Sequence, residues 1–224
     1  MIATIHQPNF IPYLGVFYKV YHSDVFVLLD DAQYSNEAMH NWNTIKTSNG
    51  TTRLKIPVVQ HLGDKICEVD INNGVKWKEK HLKTIECNYK KAPYFSEYFE
   101  QIKTFYDEAG DNLSEFTEKV LVWAVEGFFG SDKSIAKSKE LGISTVREQR
   151  ILDITKAVGC DTYYSGTGAR VYQDEGSFRR AGIDLVYSDY EPKEYRQLWG
   201  AEFVPNLSVL DYVFNCGFDK KIFE

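Results

Sequence analysis

Ile2-Ala3-Thr4-Ile5-His6-Gln7-Pro8-Asn9-Phe10-Ile11-Pro12-Tyr13-Leu14-Gly15 is the stretch that decides the fold. Its first four residues are an apolar, β-forming run. The next eight are rich in His, Gln, Asn and Pro, which is poor folding material. Pro8 and Pro12 remove two backbone donors and fix two φ angles. The residues before them are pushed to extended geometry. The chain therefore leaves a strand at residues 2–6 along a rigid path, with polar side chains at the strand's C-terminal end. Leu14, Phe17, Tyr18 and Tyr21 then recur at helical spacing. Residues 25–30 form a continuous apolar run, as in a strand buried on both faces, and end in Asp30 and Asp31. The first 30 residues thus form a β-loop-α-β unit, about the size of the smallest parallel crossover. In an open α/β sheet the C-terminal strand edge is where ligands bind.

Outward from this unit, residues 35–50 are polar and end in the turn signal Ser48-Asn49-Gly50. Arg53 to Val59 and Lys65 to Ile71 are expected as strands around a Gly63-Asp64 turn. Helical patterning covers residues 76–89 and 94–109, broken by Ala92-Pro93, and a strongly apolar helix covers 112–129. Residues 134–137 are a short strand candidate. A helix opens at Ser144 and stops before Gly159. Residues 162–165 form a strand that enters Gly166-Thr167-Gly168. A short helix (176–181), a strand (184–187) and a last helix (208–216) follow. This alternation predicts an α/β fold, a mostly parallel sheet flanked by helices. Residues 1–224 are expected to form a single domain, with 76–130 a helical insertion within it.

Composition bounds the function. The chain is 43% hydrophobic and 26% charged, ordinary for a soluble globular protein. The net charge of −6 argues against a general nucleic-acid binder, which needs a basic face. It leaves room for a nucleotide-sized anion. Cys67, Cys87, Cys160 and Cys216 are widely spaced with no C-x-x-C pair. That is neither a disulfide framework nor a zinc site, and it fits free thiols in a reducing cytosol. No signal-type segment and no bilayer-length apolar run is present. The expectation is a cytoplasmic protein without membrane partners.

Several residues are candidates for chemistry. His6 at the first strand end is placed as a general base, with Gln7 and Asn9 beside it; capping of strand-end carbonyls is the plainer alternative. A helix N-terminus near Tyr13 favours an anion. Asp30 is placed to bind an amine or sugar hydroxyl or to act as a base, and Gln33 and Tyr34 extend a polar wall; turn chemistry would explain Asp30 equally. Asn41 and Asn43 are two apart and would both face a ligand on an extended segment, unless they belong to an Asx-rich loop. Lys46 is the best phosphate partner nearby. His81 shares a helix face with Trp77 and Ile85, which suits a core-facing ring. Ser165, Gly166, Gly168 and Arg170 form a glycine turn after a strand. It is too short for a dinucleotide fingerprint, but its amides can nest an anion, with Arg170 adding charge. Ser165 lacks the G-x-S-x-G context of an acyl nucleophile. Nothing supports a dedicated metal site. Mg²⁺ at Asp30 and Asp31 makes sense only alongside a nucleotide such as ATP.

The order H-Q-P-N-F-I-P-Y-L-G, then V-F-V-L-L-D-D-A-Q-Y, then N-W-N-T-I-K, resembles the WbqC-like protein family. H-L-K-T-I-E-C-N-Y-K-K-A-P-Y-F (81–95) and Y-Y-S-G-T-G-A-R-V-Y (163–172) continue the pattern. Members commonly carry N-R-N where this chain has Asn41-Trp42-Asn43, so a guanidinium clamp is absent there. The resemblance implies a role in bacterial surface-polysaccharide (O-antigen, lipopolysaccharide) biosynthesis and transfer of glycine to an amino sugar. It also makes His81 a second candidate base. The implied substrate is a sugar nucleotide or other phosphorylated small molecule. The donor stays open among an acyl or peptidyl carrier protein, an aminoacyl-tRNA, a coenzyme A thioester, and glycine with ATP. Residues 10–15 are also similar in position to the F-x-P-x-H-x-G-H turn of HIGH-type nucleotidylyltransferases. Both histidines of that turn are missing, which counts against adenylyl transfer. Nucleotidyl transfer and non-catalytic sugar-nucleotide binding are the rival expectations.

Overall fold

The computed structural model describes residues 1–224. The opening unit forms β1 (Ile2–His6), α1 (Leu14–Tyr21) and β2 (Val25–Leu28). β3 (Trp42–Thr47) and β4 (Gly50–Lys55) make a hairpin; β5 (Val58–Val59) and β6 (Asp70–Ile71) make a second small pair. α2 (Trp77–Tyr89), α3 (Phe95–Asp107) and α4 (Leu113–Phe129) follow. The chain then alternates through β7 (Ser134–Lys137), α5 (Arg147–Ala157), β8 (Thr162–Ser165), α6 (Glu175–Ala181) and β9 (Asp184–Tyr187) to α7 (Val209–Cys216).

β1, β2, β7, β8 and β9 form one five-stranded sheet in the order β7-β2-β1-β8-β9, and every pair in it is parallel. The chain winds from β1 through β2 to β7, crosses to β8 on the other side of β1, and ends at β9. The reversal between β1 and β8 is a topological switch point, where loops diverge and leave a crevice at the C-terminal strand ends. Ile2 lies opposite Thr162, and Ala3 opposite Tyr163.

Each face of the sheet carries its own core. Phe26 and Leu28 point into the larger apolar cluster, with α1, α4 and α7. Ala3, Ile5, Val25 and Val27 point the other way, onto α5, Cys160 and Phe178 of α6. Side chains alternate along a strand, so His6 shares the parity of Thr4 and faces the α1 side. This parity makes the site possible. α4 is closed at both ends: Asn112 caps it by accepting from Glu115 N–H (3.1 Å), and Gly130 ends it at φ +84°.

The middle of the chain differs from the sequence expectation. Pro57 follows Ile56 and has no backbone donor, so the strand expected over 53–59 divides into β4 and β5. β4 pairs with residues 42–47, inside the segment read as polar and given no strand, around the Ser48-Asn49 turn. Within 65–71 only β6 is extended. Residues 66–68 form a 3₁₀ turn closed by Glu68 Oε2 accepting from Lys65 N–H (2.9 Å). No helix is long and apolar enough to cross a membrane.

Candidate active site at the switch point

The loop after β1 is fixed by the chain around it. Phe10 N–H donates to Met39 O (2.9 Å), and Val209 N–H to Pro12 O (2.9 Å). The His40 ring donates from Nδ1 to Pro8 O (3.2 Å). The Asn43 carboxamide donates to Phe10 O (3.1 Å) and Ile11 O (2.8 Å). These bonds hold Ile11 at φ +40°, a conformation that costs a branched residue about 1–3 kcal/mol. With the backbone secured, Gln7, Asn9 and Tyr13 line the crevice.

That crevice is a cleft of about 980 Å³. Ser165, Gly166, Thr167 and Gly168 line it from the end of β8, where residues 167–171 form a 3₁₀ segment. Thr167 Oγ1 anchors the turn on Ser188 O (2.7 Å), and Ser165 Oγ donates to Gln173 Oε1 (3.1 Å). Arg147 and Glu148 at the start of α5 and Asp174, the cap of α6, complete the lining. Glu148 accepts from Asp174 N–H (2.7 Å) and from the Ser177 hydroxyl. Tyr13 and Tyr190 pack with ring centroids 6.1 Å apart beside Gly15, where an added Cβ would fall 2.8 Å from the Tyr190 ring.

His6 lies in this cleft between two polar neighbours. Its Nε2 meets Asn9 Nδ2 at 3.3 Å, and its Nδ1 meets Lys19 Nζ at 3.2 Å. Lys19 is only 7% exposed and takes part in no ion pair. Burial lowers the Lys19 ammonium to about 8. Burial also holds the His6 ring well below the ordinary histidine range, and Lys19 and His40 push it the same way. His6 is therefore neutral, and Lys19 carries its proton weakly.

His6, Gln7, Asn9, Tyr13, Ser165, Gly166 and Gly168 come together here, as the strand-end argument predicts. The other candidates lie elsewhere. Asp30 is fully buried, capping residues 138–141 by accepting from Ser138 Oγ and Lys139 N–H (both 3.1 Å). Gln33 is exposed and bridges to Lys65. Asn41 donates to Ile56 O (2.8 Å), so it and Asn43 serve the backbone. Lys46 reaches across to Glu202 O (2.6 Å) and Gln197 Oε1 (3.1 Å). His81 is packed among Phe10, Trp77 and Tyr106. Its Nε2 donates to Lys55 O (3.1 Å) and its Nδ1 accepts from the Tyr106 hydroxyl (3.1 Å), which fixes its tautomer. Arg170 stacks on Tyr187, 4.6 Å from the ring centroid. A guanidinium does meet Trp42: Arg53 of the paired strand lies over its ring at 3.8 Å.

Lys19, Arg147, Glu148 and Tyr190 are cleft residues that sequence reasoning missed. Lys19 had a usable signal, as a lone cation on a short, otherwise apolar helix directly after the first strand. The other three had none, because they follow segments with no ligand-like spacing.

Fold and site together define a doubly wound α/β protein with a polar cleft at its switch point, lined by His6 and Lys19. The chain belongs to the WbqC-like protein family, whose profile matches residues 7–222. It is also similar to the uncharacterized protein Rv1507c of Mycobacterium tuberculosis. The two are 33% identical over 219 residues, covering 96% of this chain and 94% of that protein. No solved structure matches the chain significantly.

Proposed function

We propose that the switch-point cleft is the active site of an aminoacyl transferase of bacterial surface-glycan biosynthesis, which transfers glycine to the amino group of a phosphorylated or nucleotide-linked sugar. The observation that carries this reading is the neutral His6 ring in the cleft, with Nε2 turned to Asn9 and Nδ1 backed by Lys19. The sugar amine attacks the carbonyl carbon of an activated glycyl ester or thioester. The new N–C bond forms as His6 Nε2 takes the amine proton. The tetrahedral oxyanion collapses and expels the leaving oxygen or sulfur with its electron pair. Amides of the 166–168 turn are available as oxyanion or phosphate donors. The cleft volume suits a sugar nucleotide.

The test is a mass-spectrometric assay of the purified protein with nucleotide-linked amino sugars and a glycyl thioester. The expected result is a sugar product heavier by one glycyl residue, absent with His6→Asn. Absence of that product together with ATP–pyrophosphate exchange would replace this reading with nucleotidyl transfer.

A further inference from the structure

Lys19 is an uncommon residue in an uncommon place. A buried ammonium is expected to have a carboxylate partner, and Lys19 has none. Its one polar contact is His6 Nδ1, 3.2 Å away. The nearby titratable groups are few. His40 adds charge only when protonated, and burial lowers it too. Tyr13 and Tyr190 line the cleft and burial raises both. Glu148 and Asp174 reach the cleft from α5 and the α6 cap, and Glu148 is occupied by Asp174 N–H and Ser177.

We propose that Lys19 is a positioning residue that sets the tautomer of His6 and receives its Nδ1 proton during turnover. A charged Lys19 has three donors and no acceptor, so Nδ1 must accept and the ring hydrogen sits on Nε2. His6 then has no lone pair for the cleft. A neutral Lys19 offers a lone pair, so Nδ1–H donates to Nζ and Nε2 becomes free to take a proton. The Asn9 carboxamide serves both states, turning its oxygen toward Nε2–H and its nitrogen toward the bare Nε2. In the working direction a substrate proton arrives at Nε2 while the Nδ1 proton passes to Nζ. His6 returns to neutral and Lys19 becomes an ammonium. The reverse transfer protonates the leaving group and restores both residues. The sheet builds this pair directly: His6 takes the α1 side of β1 by strand parity, and α1 is the helix that follows.

This inference deepens the transferase reading, and its test needs no substrate. Two-bond ¹⁵N–¹H spectra distinguish Nδ1–H from Nε2–H in a labelled imidazole. From about pH 6.5 to about pH 9.5 the wild-type His6 signal is expected to cross from Nε2–H to Nδ1–H, with a midpoint near the Lys19 value of about 8. Lys19→Arg, always charged, is expected to keep Nε2–H throughout. Lys19→Met is expected to abolish the crossing. A wild-type tautomer that stays constant over this range overturns the proposal, even if neither variant folds. So does a Lys19→Met protein that crosses as the wild type does. Turnover, once measured, is expected to rise about tenfold per pH unit below pH 8 in the wild type and to lose that rise in Lys19→Met. A failed glycyl-transfer assay with the tautomer crossing intact would overturn the substrate assignment alone.

Discussion

His6 has two duties that substitution separates. It faces the cleft, and it is the sole polar partner of buried Lys19. His6→Asn removes the imidazole and leaves the amine short of a partner, at a cost of about 1–3 kcal/mol. The loss of a positioned base is larger in rate, about 10²–10⁴-fold. The expected variant is thus folded, slightly less stable and nearly inactive. Thermal melting and turnover on the same preparation check this, and a normally active variant with a lowered Tm would remove the catalytic role. His81 makes a contrast. Both its ring nitrogens are already bonded in the core. His81→Gln, which can still donate to Lys55 O, is expected to keep turnover within about threefold while lowering Tm, as core polar changes do. At this scale the position of His6 was legible, because a polar residue that ends the first strand lies at the C-terminal edge of the sheet. The placement of Asn43 and Lys46 was not. Their partners are Phe10 and Ile11 on one side and Gln197 and Glu202 on the other, far away in sequence.

At the scale of the element, α1 and the loop before it control the shape of the cleft. Gly15 lies in the first turn of α1, against Tyr13 and Tyr190. In an open helix Gly→Ala gains up to about 1 kcal/mol. Here the new methyl meets two rings, and overpacking of that kind costs about 1–3 kcal/mol. Gly15→Ala is therefore expected to lower Tm and to raise KM by displacing the tyrosine pair. A raised Tm would disprove the close-approach account. Asn43→Ala deletes both bonds that hold Phe10 O and Ile11 O. It is expected to cost about 1–3 kcal/mol in urea unfolding and to reduce turnover, because the strained loop relaxes away from His6. Equal urea midpoints would mean that the loop holds itself. The hairpin carrying Asn43 was hidden in the sequence for a physical reason. Within Trp42–Thr47 the buried residues are Asn43, Ile45 and Lys46, two of them polar and two of them adjacent, so hydropathy shows no strand alternation. The inner strands β1 and β2 were readable because their apolar runs are buried on both sides.

At the scale of the molecule, two buried histidines, His40 and His81, and the half-buried His6 tie stability to pH. Burial lowers His6, His40 and His81, the last to about 4. In the unfolded chain each takes up a proton near pH 6.5. Below that value the unfolded state binds more protons, so stability falls as the pH drops. The contribution is fully present above about pH 6.5 and is lost as the pH passes down through the folded values. For His81 alone the loss between pH 6.5 and pH 5 is about 2 kcal/mol. Urea midpoints are expected to fall over this interval, and His81→Gln is expected to flatten the dependence. A flat wild-type profile would mean that these rings titrate normally. The architecture was legible at this scale, since strand and helix alternate at both ends of the chain. The strand order was not, because nothing local records that β8 returns to the far side of β1.

That return has a consequence for synthesis. The cleft needs the end of β1 and the end of β8, which lie about 160 positions apart in the chain, as the Thr4 hydroxyl bond to Tyr164 O illustrates. At about 5–20 residues per second a ribosome takes roughly 8–30 s to travel between them. During that interval His6 and Lys19 can meet, because α1 directly follows β1, but the wall opposite them does not yet exist. A nascent chain arrested before β8 would hold His6 and Lys19 without the 165–168 turn that faces them, so the cleft is completed only after β8 has left the ribosome.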